Sequence, residues 1–324
     1  MGEFELIRRF FQRPVVQPQP GVALGIGDDC ALLQPTSGMQ LAISSDMLVE
    51  GRHFLSTVEP ARLGHKALAV NLSDLAACGA TPRAFTLALA LPEADAAWLE
   101  AFARGLFALA DAHGCTLVGG DTTRGPLNIC ITVFGEVPAG QARLRSGAKA
   151  GDDIWASGTL GDARLALEVF RGRAAISQTA FAAARARMEQ PTPRVTLGQA
   201  LRGIASAAID VSDGLLGDLQ HILDASGVGA TLDADAAQSL LACAEITDAD
   251  ARLDLALAGG DDYELCFTAP PAQRDAVLQA ARNAGVRVTR IGAIDAASGQ
   301  RVLDAQGHAI ARRFTSFNHF AAGA

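Results

Sequence analysis

Four apolar runs of strand length mark the first 140 residues, at 41–45, 85–91, 116–118 and 128–137, with helical spacing between them. Pro60 opens a predicted helix over 60–78, and a second over 93–112 is closed by Gly114. Ahead of these, residues 1–13 read as an amphipathic helix with Phe4, Ile7, Phe10 and Phe11 facing inward. The glycine-bounded segment 147–151 reads as a linker. After it the pattern restarts with a strand at 154–157, a helix after Gly161 and a proline-bounded turn at 191–193. A strand at 207–211 enters a tight turn at 212–214, followed by a helix over 215–225. The chain then reads as a strand at 265–268, a helix over 271–284 and a last strand at 286–291. Two units of mixed helix and strand follow from this alternation, and no short repeat or low-complexity tract interrupts it.

Length supports the same division, since 324 residues exceed what one hydrophobic core usually serves. Hydrophobic residues make up 49% of the chain and charged ones 19%, within the range of ordinary globular proteins. The formal net charge is −8 and there are two lysines, Lys66 and Lys149, so no basic stripe exists for a nucleic-acid backbone. The six cysteines show neither a C-x-x-C pair nor zinc-ligand spacing, which predicts reduced, mostly buried thiols. With no signal-peptide segment and no run of membrane-spanning length, the expectation is a cytoplasmic protein without a membrane partner.

Candidate chemistry lies in the aspartates. They fall at the ends of apolar runs among glycine and serine: 25–29 (GIGDD), 44–46 (SSD), 71–74 (NLSD), 119–121 (GGD) and 210–214 (DVSDG), with 259–264 (GGDDYE) of related character. Magnesium takes hard oxygen ligands, usually a few carboxylates completed by phosphate oxygens and water. Glycine beside such a carboxylate lets the backbone approach a phosphate and aim N–H groups at it. A turn aspartate or a helix N-cap is the alternative for any one of these positions. Asp74 differs, because Leu72, Leu75 and Ala76 around it give an apolar setting in which an unpaired carboxylate is costly. A cation would resolve that cost, and so would an arginine.

The common nucleotide-binding signatures are missing. With two lysines, no G-x-x-x-x-G-K-[ST] loop occurs. Neither an H-R-D catalytic loop nor a complete kinase glycine loop is present, and no stretch matches the EF-hand ligand pattern.

Five segments in order, GIGDDCA at 25–31, AVNLSDLAA at 69–77, GGDTTRGP at 119–126, DVSDGL at 210–215 and GGDDYEL at 259–265, resemble the thiamine-monophosphate kinase family, over essentially the whole chain. The resemblance implies a two-domain α/β (α+β) fold like that of aminoimidazole ribonucleotide synthetase. An N-terminal metal- and ATP-binding and dimerisation domain would span 1–140, and a C-terminal domain completing the cleft 150–324. N-terminal sheets would pair in a homodimer; the strands at 85–91 and 128–137 fit that interface or a single-chain core equally.

Carried over position by position, the metal ligands would be Asp29, Ser44, Ser45, Asp46, Asp74, Asp121, Asp210 and Asp213, with Asp28 beside them. Ser45 stands where the family motif has threonine, and either hydroxyl can ligate magnesium. ATP would be met by Gly120, Asp121, Arg145 and Ser212, and thiamine monophosphate by His53, Asp261 and Phe317. Arg145 also reads as a surface arginine, His53 as an exposed histidine and Phe317 as an aromatic packed on the core. Asp261 stands in place of a family glutamate one methylene longer, which shortens its reach.

The implied reaction is in-line transfer of the ATP γ-phosphoryl group to the phosphate of thiamine monophosphate, with several magnesium ions. A phosphate monoester's second pKa is near 6, so the acceptor oxygen needs no general base. The obstacle is repulsion: at ~4 Å and an effective dielectric of ~20, each pair of like charges costs about 4 kcal/mol. Within the wider superfamily, selenophosphate synthetase needs a reactive N-terminal cysteine with a lysine partner. Here the first cysteine is Cys30 and the first lysine Lys66. An aminoimidazole ribonucleotide synthetase would release inorganic phosphate, and a non-catalytic acidic scaffold would bind magnesium without turnover.

Overall fold

Apolar runs and helical spacing resolve, in a computed structural model, into two compact units; residues 2–13, 20–312 and 314–315 are described. Unit 1 takes in the described residues of Met1–Leu75 and Ala80–Gly140, and unit 2 those of Ala76–Gly79 and Gln141–Ala324.

Unit 1 begins with α1 (Glu3–Leu6) and a π-helical turn, Ile7–Phe11, then a short pair, β1 (Val22–Leu24) and β2 (Leu32–Leu33). There follow β3 (Met39–Val49), α2 (Pro60–Cys78), β4 (Thr81–Leu91), α3 (Ala96–Ala112), β5 (Thr116–Arg124) and β6 (Asn128–Pro138). The N-terminal segment is therefore not one regular helix. Its wide turn closes with the Gln12 N–H on the Ile7 carbonyl at 2.8 Å, and Leu6, Phe10 and Phe11 are buried. Met1 and the side chain of Phe4 lie outside the described residues.

The four-stranded sheet of unit 1 runs β3-β6-β4-β5, antiparallel except between β4 and β5. Alternate residues of a strand face opposite sides. In β3, Leu41, Ile43, Ser45 and Met47 are exposed, whereas Ala42, Ser44, Asp46 and Leu48 are more covered. The covered side carries α2, since the Ser44 hydroxyl donates to Asp74 and the Asp46 N–H to Asn71 Oδ1. Helix α3 lies against α2 in backbone contact: a Cβ on Gly105 would come within 1.8 Å of the Ala61 carbonyl oxygen. Asp95 sets the start of α3 by accepting the Ala97 and Trp98 N–H groups, two residues inside the predicted helix.

Strand β5 extends well beyond the predicted 116–118, because the glycine-rich 119–121 segment continues as strand rather than loop. Gly120 has φ +143°, and a Cβ there would meet the Leu87 carbonyl oxygen at 1.8 Å. Strand propensity disfavours glycine, yet close approach to β4 requires it here.

Unit 2 contains β7 (Asp153–Ser157), α4 (Asp162–Phe170), α5 (Gln178–Glu189), α6 (Val195–Ala200), β8 (Ala207–Val211), α7 (Leu215–Ser226), β9 (Gly229–Asp233) and α8 (Ala234–Gln238). It continues with α9 (Ala249–Ala258), β10 (Glu264–Ala269), a 3-10 turn at Pro271–Gln273, α10 (Arg274–Ala284), β11 (Val288–Asp295) and β12 (Gly299–Leu303). Its six-stranded sheet runs β12-β9-β11-β7-β10-β8, antiparallel except for β12 on β9. Ile154, Ile209, Leu219, Ile222, Cys266 and Ile291 are part of one buried apolar core. That core anchors β8 and α7, and so fixes the turn between them. Among the described residues no helix is long and apolar enough to cross a membrane.

Candidate active site

Unit 1 carries a half-open cavity of about 890 Å³, within the size range of small-molecule sites. The 25–29 and 119–121 segments meet on its wall, bringing Asp28, Asp29, Gly120 and Asp121 together. Arg8, from the N-terminal turn, also lines it; it was not singled out in the sequence, where it reads as an exposed face of a helix. Asp28 accepts the Asp29 N–H at 2.9 Å, and Asp28, Asp29 and Asp121 are exposed.

A second group forms where β3 meets α2. Ser44 Oγ donates to Asp74 Oδ2 at 2.5 Å. Asn71 accepts the Asp46 N–H at 3.1 Å and donates from Nδ2 to the Ala67 carbonyl at 3.0 Å, which locks the strand to the helix beside Asp46. Asn71 lies within the 69–77 segment, and its residue type alone does not identify this role. Leu72, Leu75 and Ala76 are buried as expected, while helical geometry turns Asp74 itself to a partly exposed position beside a hydroxyl. The cost of an isolated buried carboxylate does not arise there. Ser45 points the other way, with Oγ 3.0 Å from Thr132 Oγ1 and donating to the Ile131 carbonyl at 3.2 Å, so its hydroxyl is not brought together with Ser44 and Asp46.

At the end of β3, His53 Nδ1 accepts the Val49 N–H at 3.0 Å, which assigns the proton of the neutral ring to Nε2. The Lys66 ammonium donates to the His53 carbonyl at 3.2 Å. The ring is ordered and partly buried, unlike a bare surface histidine.

In unit 2, Asp210 is buried within β8, where it pairs with Leu265 of β10. The strand ends at Val211, and the turn 212–214 leads into α7 with Ser212 and Asp213 partly exposed. Asp218, in the first turn of α7, is buried and accepts the N–H groups of Ser212, Asp213 and Gly214 at 3.0, 3.1 and 3.2 Å. Burial first, and then the Asp213 charge, push its carboxyl up to about 7 against those three donors.

The 259–264 segment lies against this turn. The Asp261 N–H donates to the Ser212 carbonyl at 2.7 Å, and the Tyr263 N–H to that of Val211 at 2.8 Å. Asp261 and Tyr263 have φ of 63° and 53°, the left-handed region that non-glycine residues seldom occupy. Gly260 precedes them with φ +73°, and a Cβ there would sit 2.7 Å from the Ser212 carbonyl oxygen. Buried carboxylates bracket Tyr263. Asp262 accepts the Gly161 N–H with both oxygens at 3.0 Å, and burial raises its carboxyl well above the ordinary value. Glu264 is fully buried and is held by Ser157, Arg187 and a bidentate Arg194. Backbone strain held by such anchors is a recurrent feature of functional sites.

Arg145 is exposed in the loop between β6 and β7; its carbonyl accepts from Ser226 Oγ, which also takes the Gly147 and Ala148 N–H groups. Phe317 lies outside the described residues. Among the described residues no group of three or more His, Cys, Asp or Glu side chains is placed to hold one ion. The donor set nevertheless fits magnesium: the expected ligands are carboxylate and hydroxyl oxygens, and this ion commonly takes one or two carboxylates with the rest from phosphate and water.

Comparison with known proteins bears directly on these groupings. Residues 27–137 match the family described as AIR synthase related protein, N-terminal domain, and residues 149–304 the corresponding C-terminal domain. The thiamine-monophosphate kinase of Salmonella typhimurium is 52% identical over 296 residues, 91% of this chain and 91% of its own. Among solved structures, the thiamine-monophosphate kinase of Stenotrophomonas maltophilia superposes with a TM-score of 0.82 at 48% identity, covering 95% of this chain and 96% of its own. A structure described as AaThiL complexed with AMPPCP and TMP gives 0.76 at 29% identity, covering 89% of each chain. The mixed, two-part synthetase-like fold expected from the sequence is thus present, and identity at this level over this length makes the chain a member of the thiamine-monophosphate kinase family.

Proposed function

We propose that this chain catalyses magnesium-dependent transfer of the γ-phosphoryl group of ATP to thiamine monophosphate, yielding thiamine diphosphate and ADP. The observation that carries this reading is the unit 1 cavity, where the two glycine-aspartate segments of the family motif meet. Gly120 and Asp121 contact ATP there, with Asp29 beside them. Ser44, Asp46 and Asp74 in unit 1, and Asp210 and Asp213 in unit 2, hold magnesium, and Ser45 is left out because its hydroxyl turns to Thr132 and Ile131. When bound, the magnesium ions supply positive charge against the phosphate oxygens of both substrates.

The chain's own part is positioning. Asn71 and Asp74 fix the β3 end around Asp46, His53 presents its Nε2 side, and Asp261 orients the aminopyrimidine of thiamine monophosphate. In unit 2, Arg145 and Ser212 are the nucleotide residues. No residue is required as a general base, since the acceptor phosphate is already largely ionised at neutral pH. Functionally, residues 1–140 form the nucleotide, metal and dimerisation domain, and 150–324 carry further nucleotide and substrate residues. The exposed side of β3, with Leu41 43%, Ile43 59% and Met47 53% exposed, supports a homodimer formed through the N-terminal sheets. We place this activity in the cytoplasm.

Purified protein with Mg-ATP and thiamine monophosphate should give thiamine diphosphate and ADP in equal amounts, resolved by chromatography. With ATP chiral at the γ-phosphorus, one in-line displacement inverts configuration. Retention would rule out direct transfer, and inorganic phosphate without thiamine diphosphate would remove the kinase reading. In the same assay Asp261→Ala should raise KM for thiamine monophosphate about 10-fold, as expected for loss of a hydrogen bond to a charged group, with KM for ATP little changed. Asp261→Glu should preserve or lower it. Equal loss of ATP affinity in the alanine variant would move Asp261 to the nucleotide.

A further inference from the structure

Three consecutive N–H groups at the start of a helix make an anion-binding nest, and in nucleotide enzymes such a nest commonly takes a phosphate. In this chain the nest at Ser212, Asp213 and Gly214 is filled from within, by one oxygen of Asp218 at 3.0, 3.1 and 3.2 Å. Asp218 is 4% exposed and sits on the apolar face of α7 with Leu215, Leu219 and Ile222, so the carboxylate cannot swing out to solvent without unpacking the helix. The N–H groups of this turn are therefore committed, and Ser212 and Asp213 can meet a ligand through their side chains.

The opposite edge of the same stretch is committed too. Its carbonyls at Val211 and Ser212 accept from Tyr263 and Asp261, the two residues in left-handed conformation. Gly260 allows this approach, since any side chain there would collide with the Ser212 carbonyl. Donors are clamped by Asp218 and acceptors by the 260–263 segment. Such a clamp leaves the direction of the Asp213 carboxylate and the Ser212 hydroxyl little freedom.

We infer that Asp218 is a positioning residue: an internal hydrogen-bond acceptor that occupies the nest at 212–214 and so aims Asp213 and Ser212 at the magnesium and nucleotide. This rests on the roles proposed above for those two residues. Misplacement of a reacting group by about 1 Å costs on the order of 100-fold in rate. Asp218→Ala should therefore lower kcat by about that factor and raise the magnesium concentration at half-maximal rate about 10-fold. Asn keeps an oxygen that can accept the same N–H groups, and Asp218→Asn should restore kcat to within about 10-fold of wild type.

Three measurements on the full chain separate this from a purely structural cap. Amide hydrogen exchange at Ser212, Asp213 and Gly214 reads the clamp directly, and protection should fall in the alanine variant and persist in the asparagine one. Steady-state kinetics across a magnesium titration, run below the unfolding transition, should follow the same order. Binding of a non-hydrolysable ATP analogue with magnesium gives a readout besides turnover, with affinity about 10-fold weaker for alanine. A folded alanine variant with wild-type kcat, magnesium midpoint and amide protection overturns the inference, as does an asparagine variant as impaired as alanine. Should alanine fail to fold, Asp218→Glu displaces the acceptor while keeping its charge, and a wild-type magnesium midpoint in that variant is equally decisive against it. Absence of thiamine diphosphate with wild-type enzyme would instead refute the reaction, while the exchange and analogue-binding arms still judge Asp218.

Discussion

Asp213→Asn and Asp46→Asn should each lower kcat by about 1,000-fold, the loss typical when one preorganised electrostatic contact to a transition state is removed. Asparagine matches aspartate in size and removes a charge, so the variant tests ligation rather than packing. Both positions are partly exposed, and a neighbouring side chain accepts each backbone N–H. The Asp46 N–H is held by Asn71 and the Asp213 N–H by Asp218. Thermal unfolding without ligand is the control that separates lost turnover from lost fold. A magnesium titration completes the test: a weakened ligand set shifts the midpoint upward and is partly compensated at high magnesium. Either variant with wild-type kcat across that titration would take its residue out of the metal set.

Much of this arrangement was legible in the sequence because its signals are local. Apolar runs of strand length located β3, β4, β6, β8 and β10 to within a few residues, and Pro60, Gly114 and Gly161 marked helix boundaries. Carboxylates among glycine and serine at the ends of those runs pointed to the segments that line the cavity and the α7 turn. What was not legible depends on tertiary pairing. The 119–121 segment reads as a loop by propensity, and becomes strand because β4 accepts a glycine backbone at close range. Helices α5, α6, α8 and α9 and strands β9 and β12 escaped the pattern. They are short or alanine-rich, with weak periodicity to detect.

The missed polar residues share another cause. Asp218 follows Asp213 by five positions on an otherwise apolar helix face, between Leu215 and Leu219, and a carboxylate on such a face is itself a sequence signal. Asp262 and Glu264 were inside a recognised segment, but whether a residue of a loop points inward is decided by strain at Asp261 and Tyr263, which one sequence does not reveal. Ser45 illustrates the same limit: it sits between two expected ligands, yet strand alternation sends its hydroxyl to Thr132 and Ile131.

Glu264→Ala should destabilise unit 2 by about 3–5 kcal/mol, the cost of removing one partner from a buried ion pair and leaving the other charges uncompensated. Glu264 is fully buried, and its two oxygens take Arg194 in bidentate fashion, Arg187 at 2.7 Å and the Ser157 hydroxyl at 2.5 Å. Arg187 Nε already lacks a hydrogen-bond partner, and its Nη2 also reaches the Asp262 carbonyl, at a long 3.4 Å. Gly158 shows how closely the carboxylate is enclosed, since a Cβ there would come within 2.0 Å of it. Loss of the anchor also frees the end of the 260–263 segment, whose left-handed residues depend on being held. Denaturant unfolding should therefore show a lowered midpoint, and folded variant should show a raised KM for thiamine monophosphate before kcat falls. Replacing both arginines together with Glu264 by apolar residues of similar volume should recover most of the stability without recovering KM, because packing can substitute for the ion pairs but not for the Arg187 hydrogen bond to the Asp262 carbonyl beside Asp261. A loss below about 1 kcal/mol for the alanine variant would mean that water reaches the arginines, and that this cluster does not hold the segment.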